Sequence, residues 1–282
     1  MTDTVYILGN GFDLHHGLKT SYLNFRDDYV KKRNPQMWNN LLDIYGDAPK
    51  QDDFWWKDFE NMLGKVDYAH LEEDYYKLAL APSRVQNLLK NQLPPLFGYW
   101  INSIDTNTKM DESLGINRDS MFFTFNYTLI LEKTYKVPDN HIWHIHGSVI
   151  NSDDIVVGHD FDKRDLFRDY LEHKKSHHVS RTDIADSIRQ MTAKGAKGVR
   201  RRIIKHEDDF YHLYANIIHF IAMGFSFNDI DMPYIEKIIS TNKNIAETDW
   251  MVYWHEDGEK ESLKNKIKQL GVKEENIVLQ KW

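Results

Sequence analysis

Four short apolar runs in this chain each stop at a turn carrying glycine or asparagine, and that repetition limits the available folds more than any other feature. The turns are Gly9-Asn10-Gly11, Thr124-Phe125-Asn126-Tyr127, His146-Gly147-Ser148 and Gly224-Phe225-Ser226. In an open parallel sheet, ligands sit beyond the carboxyl ends of the strands. Four such ends, distant in sequence, would therefore meet at one crevice. The first, Val5-Tyr6-Ile7-Leu8-Gly9-Asn10-Gly11-Phe12-Asp13, reads as a buried strand running into a tight turn. Gly9 and Gly11 lack a Cβ, so a nucleotide phosphate can approach the main chain. The full dinucleotide fingerprint is absent, because Leu14 stands where a third glycine belongs and the next glycine is Gly17. No Walker lysine follows, which argues against a P-loop NTPase. Asp13 would repel a phosphate and suits a ribose hydroxyl, a water or a helix N-terminus better. An ordinary strand-to-helix turn accounts for the same residues.

The rest of the chain alternates in a way that supports the sheet. Residues 20–100 are mostly helical in pattern, with Trp55, Trp56, Phe59, Met62 and Leu63 on one face, read as packing. A further helix spans Leu88 to Trp100 around Pro94-Pro95, and 102–119 reads as a polar loop. Strands are expected at 120–127, 142–146, 155–157, 216–223, 250–254 and 277–279, with helices at 129–135 and after Pro233. The expected fold class is α/β, a Rossmann-like parallel sheet flanked by helices in a single domain over 1–282. The sheet would use the first strand and those near 120, 143, 156, 220 and 252. Helical insertions are expected at about 25–118 and 161–210.

Composition narrows the chemistry. The chain has no cysteine, so disulfides, a thiol nucleophile and thiolate-bound zinc are ruled out. A formal net charge of -7 gives no overall nucleic-acid footprint. No signal peptide opens the sequence, and no apolar stretch approaches the roughly 20 residues of a membrane span. A cytoplasmic protein without membrane partners is the expectation. Other clusters have weaker claims. His141-x-x-His144-x-His146, with His159 and Asp160, allows a metal site, since His144 and His146 share a strand face. A packed, hydrogen-bonded His144 is the plainer account. His177-His178 and the run Lys194 to Lys205 could meet nucleic acid, yet such runs are more often solvated helix faces. The charged segment 161–210 is a candidate lid or oligomer contact. Asp229 and Asp231 are candidate functional residues, though a helix N-cap cluster ahead of Pro233 explains them as well.

Longer stretches carry a family likeness. Leu8-Gly9-Asn10-Gly11-Phe12-Asp13-Leu14, Gly17-Leu18, Thr20-Ser21-Tyr22 and Phe25 resemble the AbiH family of bacterial anti-phage abortive-infection proteins. So do Trp56-x-Asp58-Phe59-Glu60-x-x-Leu63-Gly64 and Gly224-Phe225-Ser226-Phe227-x-Asp229-Ile230-Asp231-x-Pro233-Tyr234. More remotely, the order of the four turns is similar to that of sirtuin-like NAD-binding proteins. That likeness implies NAD as ligand or substrate, with Gly9, Asn10 and Gly11 at the phosphates. It makes Asn126 the residue orienting the nicotinamide ribose or a water, and His146 a general base. Gly224 and Ser226 would meet the adenosine half, and Asp13, Thr124 and Gly147 complete the implied cofactor contacts. Thr128 departs from the sirtuin pattern, which has Asp there; Asp13 is a candidate replacement. Without cysteines for a zinc module, deacylation is disfavoured, and NAD hydrolysis without a metal is the implied output. A phage-derived trigger is an implied partner. The alternatives are a nucleotide-sensing module without turnover and a metal-dependent nuclease using the basic insertion.

Overall fold

The computed structural model describes residues 2–51, 53–149, 155–159, 182–193 and 198–282. They form two compact units. One comprises 2–20, 104–149 and 199–282 and carries the sheet; the other comprises 21–103, 155–159, 182–193 and 198 without residue 52. Asp160, His177, His178 and Lys194 lie outside the described residues.

The sheet has six strands: β1 (Thr4–Leu8), β2 (Met121–Thr124), β3 (Ile142–His144), β4 (His219–Met223), β5 (Asp249–Trp254) and β6 (Ile277–Lys281). Their spatial order is β3-β2-β1-β4-β5-β6, and every pairing is parallel. This is the doubly wound order, with its switch point between β1 and β4. Alternate residues of each strand feed two cores, because side chains project to opposite faces with a period of two. Val5, Ile7, Phe123, Phe220, Ala222, Trp250 and Val252 pack with residues of the helices Val199–Lys205, Glu207–Tyr214, Met232–Thr241 and Lys260–Gln269. Tyr6, Leu8, Phe122 and Met223 pack on the other side with Phe12, Leu114, Ile130 and Tyr135. Burial on both faces explains why β1 and β2 read as continuous apolar runs and not as alternating ones.

The helical unit has its own core. Trp55 and Trp56 are buried with Phe25, Phe59, Phe97 and Trp100, as the helical spacing predicts. Its helix Pro35–Tyr45 begins where Asn34 accepts the Met37 N–H and Pro35 takes the first turn. The helix Thr182–Ala193 packs against the helix Tyr75–Gln86.

One expectation needs correction. Ile155–Val157 is not a strand and takes no place in the sheet. Ile155 and Val157 are buried within the helical unit, where Ile155 lies beside Gly98. Their alternation reflects packing on helices, which a short apolar run cannot distinguish from a ladder. The sixth place in the sheet goes to β6, which contains the strand expected at 277–279. Val199 and Phe210, near the end of the 161–210 stretch, pack in the sheet's core beside Tyr214. No helix among the described residues is long and apolar enough to cross a membrane.

Candidate functional site

At the switch point the turns after β1 and β4 press backbone against backbone. The Gly9 N–H donates to the Met223 carbonyl (3.1 Å) and the Gly11 N–H to the Gly224 carbonyl (2.9 Å). A Cβ on Gly9 would lie 2.5 Å from the Gly224 oxygen, and one on Gly11 2.6 Å from the Gly224 Cα. A Cβ on Gly224 would lie 2.2 Å from the Phe12 nitrogen, and Gly224 has φ +60°. The missing side chains therefore serve a loop-on-loop contact. Both glycine amides are already bonded, and the Asn10 side chain donates to the Thr20 carbonyl at 3.1 Å. The predicted phosphate turn is thus largely engaged within the protein.

Asn126, Asp13 and Thr128 form a buried network beside that contact. Asn126 Nδ2 donates to the Gly9 carbonyl (3.0 Å) and to Asp13 Oδ1 (2.9 Å). Thr128 Oγ1 donates to Asp13 Oδ2 at 2.8 Å, and Thr124 Oγ1 accepts the Asn126 N–H at 3.1 Å. Asp13 is 1% exposed. Burial pushes its carboxyl up to about 7, against the opposing pull of the bonds from Thr128 and Asn126. Thr128, the departure from the sirtuin pattern, is therefore bonded directly to a carboxyl group.

The two histidines of the third turn take different carboxylates. His144 places Nδ1 2.8 Å from the Asn126 carbonyl and Nε2 2.8 Å from Glu132 Oε1. His146, 2% exposed, places Nε2 3.0 Å from Asp231 Oδ1, with the rings of Phe125 and Tyr234 nearby. Gly147 follows with φ +82°, which lets the chain turn directly after His146. Asp231 stands at the N-cap of the helix Met232–Thr241, yet its side chain caps nothing there and faces His146. A carboxylate on Nε2 favours the tautomer that carries its proton on that nitrogen. The sequence left Asp231 open between a functional role and a helix cap. Its signals were its place just after the β4 turn and its presence in the family-like motif from Gly224 to Tyr234. Among the described residues no group of three His, Asp or Glu could hold a metal ion. His16, also unassigned from sequence, places Nδ1 2.8 Å from the Phe12 carbonyl and Nε2 2.6 Å from the Tyr135 hydroxyl. Burial lowers its pKa, which keeps it neutral: it donates to Phe12 and accepts from Tyr135.

A cleft of about 540 Å³ opens at the carboxyl ends of β1, β4, β5 and β6. Gly11, Gly224 and Ser226 line it, with Leu14, Tyr253, Trp254 and Trp282. His15 also faces it, held by Asp111 at 2.8 Å and set against Trp282 at 4.4 Å. Asn126 and His146 are not among its lining residues. The structure thus brings all four turns to one end of the sheet and divides the predicted residues between this cleft and the buried network.

This is a doubly wound α/β protein with its polar turns gathered at the switch point, the position where sheets of this class that bind ligands hold them. The chain matches the family model described as bacteriophage abortive infection AbiH over residues 5–254, and it belongs to that family. No curated protein matches it.

Proposed function

We propose that this abortive-infection protein is a nucleotide N-glycosidase, with NAD as its substrate. The observation that carries this reading is the His146–Asp231 pair at the sheet's carboxyl edge, next to the turn that holds Asn126. Water attacks C1′ of the nicotinamide ribose, and the glycosidic bond breaks with its electron pair leaving on nicotinamide. The water's proton passes to His146 Nδ1 and then to solvent. Asp231 orients the ring and stabilises the imidazolium. Asn126, tethered through Nδ2, has Oδ1 to direct a ribose hydroxyl or the water. Asp13, bonded to Thr128, supplies the carboxyl group that position 128 itself lacks. Gly224 and Ser226 are the contacts for the adenosine half, and the chemistry requires no metal.

The burial of His146 favours a second reading, in which the site binds the nucleotide and does not turn it over. One experiment separates the two. Purified protein is incubated with NAD, with and without EDTA, and nicotinamide release is followed by chromatography. Release that survives EDTA and falls about 100-fold or more in Asp231→Asn and His146→Ala supports the glycosidase. Binding without release supports the sensor. Release abolished by EDTA points to a metal-dependent reaction and overturns both.

A further inference from the structure

We propose that the cleft at the ends of β4, β5 and β6 recognises the base and ribose of an amino-bearing nucleoside and gives no affinity to phosphate. The inference rests on the nucleotide reading above and specifies how such a ligand is held.

Its walls are aromatic. Trp282 packs against His15 at 4.4 Å and Tyr253 at 5.4 Å, and Phe225 also lines the cleft. Such surfaces stack on any planar heterocycle. Its lining carboxylates are Glu256 and Glu259; two histidines, His255 and the Asp111-paired His15, line it as well, and no Lys or Arg is found among the described lining residues. A carboxylate accepts hydrogen bonds from an exocyclic amine or a ribose hydroxyl and repels a phosphate. Ser226 and Ser262 add hydroxyls.

The usual phosphate donors are occupied. The Gly9 and Gly11 amides are bonded to Met223 and Gly224. Glu256 and Glu259 form a reciprocal capping box at the start of the Asp257–Glu259 turn, so this terminus already holds its own carboxylates. Lys266 places its ammonium on the carbonyls of Ser226 (3.2 Å) and Phe227 (2.8 Å). Lys260 and Lys281 lie over the Trp254 ring at 5.8 and 4.8 Å. These three lysines therefore each have a protein partner.

The test is a titration of the full chain, by calorimetry or tryptophan fluorescence, with adenosine, inosine, AMP, ADP and NAD. AMP and ADP are expected to bind no more tightly than adenosine, because no charge-assisted bond rewards their phosphates and the lining carboxylates repel them. Raising salt from about 50 to 200 mM should change their affinity less than about twofold, unlike a phosphate site. Inosine, which lacks the amine, should bind about fivefold or more weakly, and Glu256→Gln should narrow that gap while preserving the cap. Trp282→Ala should weaken adenosine about tenfold. Affinity that climbs with each added phosphate overturns the proposal, as does failure of adenosine to bind at millimolar concentration. Adenosine binding without NAD cleavage would refute the glycosidase and leave this site standing. NAD cleavage with phosphate-driven affinity would do the reverse.

Discussion

Asp13 is the residue with the sharpest physical consequence. Its folded pKa of about 7 lies above the roughly 3.9 of an unfolded aspartate. The native state therefore binds the extra proton between those values. The contribution of Asp13 to stability is fullest below about pH 4 and declines as pH rises to about 7, by an amount on the order of 4 kcal/mol. Asp13→Asn removes the titration but also one acceptor for Asn126 or Thr128. Urea unfolding from pH 4.5 to 8 should show a downward slope in the wild type that flattens in the variant; parallel curves would contradict this account. Asp231 makes a different point about residues. Its position before Pro233 suits a cap or a functional role, and local sequence says nothing of a histidine 85 residues away. Pairings at that separation are made by the sheet, not by neighbours in the chain.

At the scale of elements, the turns after β1 and β4 are matched surfaces. Gly224→Ala places a Cβ on the Phe12 nitrogen in a backbone conformation that already disfavours L residues. Its expected cost is about 3 kcal/mol or more, read as a fall in thermal midpoint or as insolubility. Gly17→Ala is the control: its φ is also positive (+76°), but nothing lies within 4 Å of the added Cβ. That variant should lose only about 1 kcal/mol, from backbone strain. Equal effects would mean that strain and not the loop contact explains Gly224. Within the strands, Trp250 stacks on Phe220 at 4.4 Å and is 1% exposed. Trp250→Ala should cost about 3–5 kcal/mol in chemical denaturation. Strand patterns were legible where both faces were apolar. Ile155–Val157 shows the limit, since burial on helices and pairing in a sheet can produce the same short pattern.

At the scale of the whole molecule, family membership ties the fold to phage abortive infection. Cells expressing the chain should reduce phage plating, and Asp231→Asn should restore it without lowering the amount of folded protein. Undiminished protection in that variant would separate defence from the His146–Asp231 pair. The sequence by itself determined that an α/β sheet would form and that four polar turns would share its carboxyl edge. Apolar runs and glycine positions are local signals, and parallel strands place their ends together whatever their order. Family motifs were legible for the same reason, as contiguous residues. Only the tertiary structure decided what each turn does there. It matched Gly9 and Gly11 to Gly224, gave His146 the Asp231 carboxylate, bonded Asp13 to Asn126 and Thr128, and set acidic and aromatic side chains in the cleft. Those relations depend on ångström-scale approach between segments remote in the chain, which no pattern along the sequence encodes.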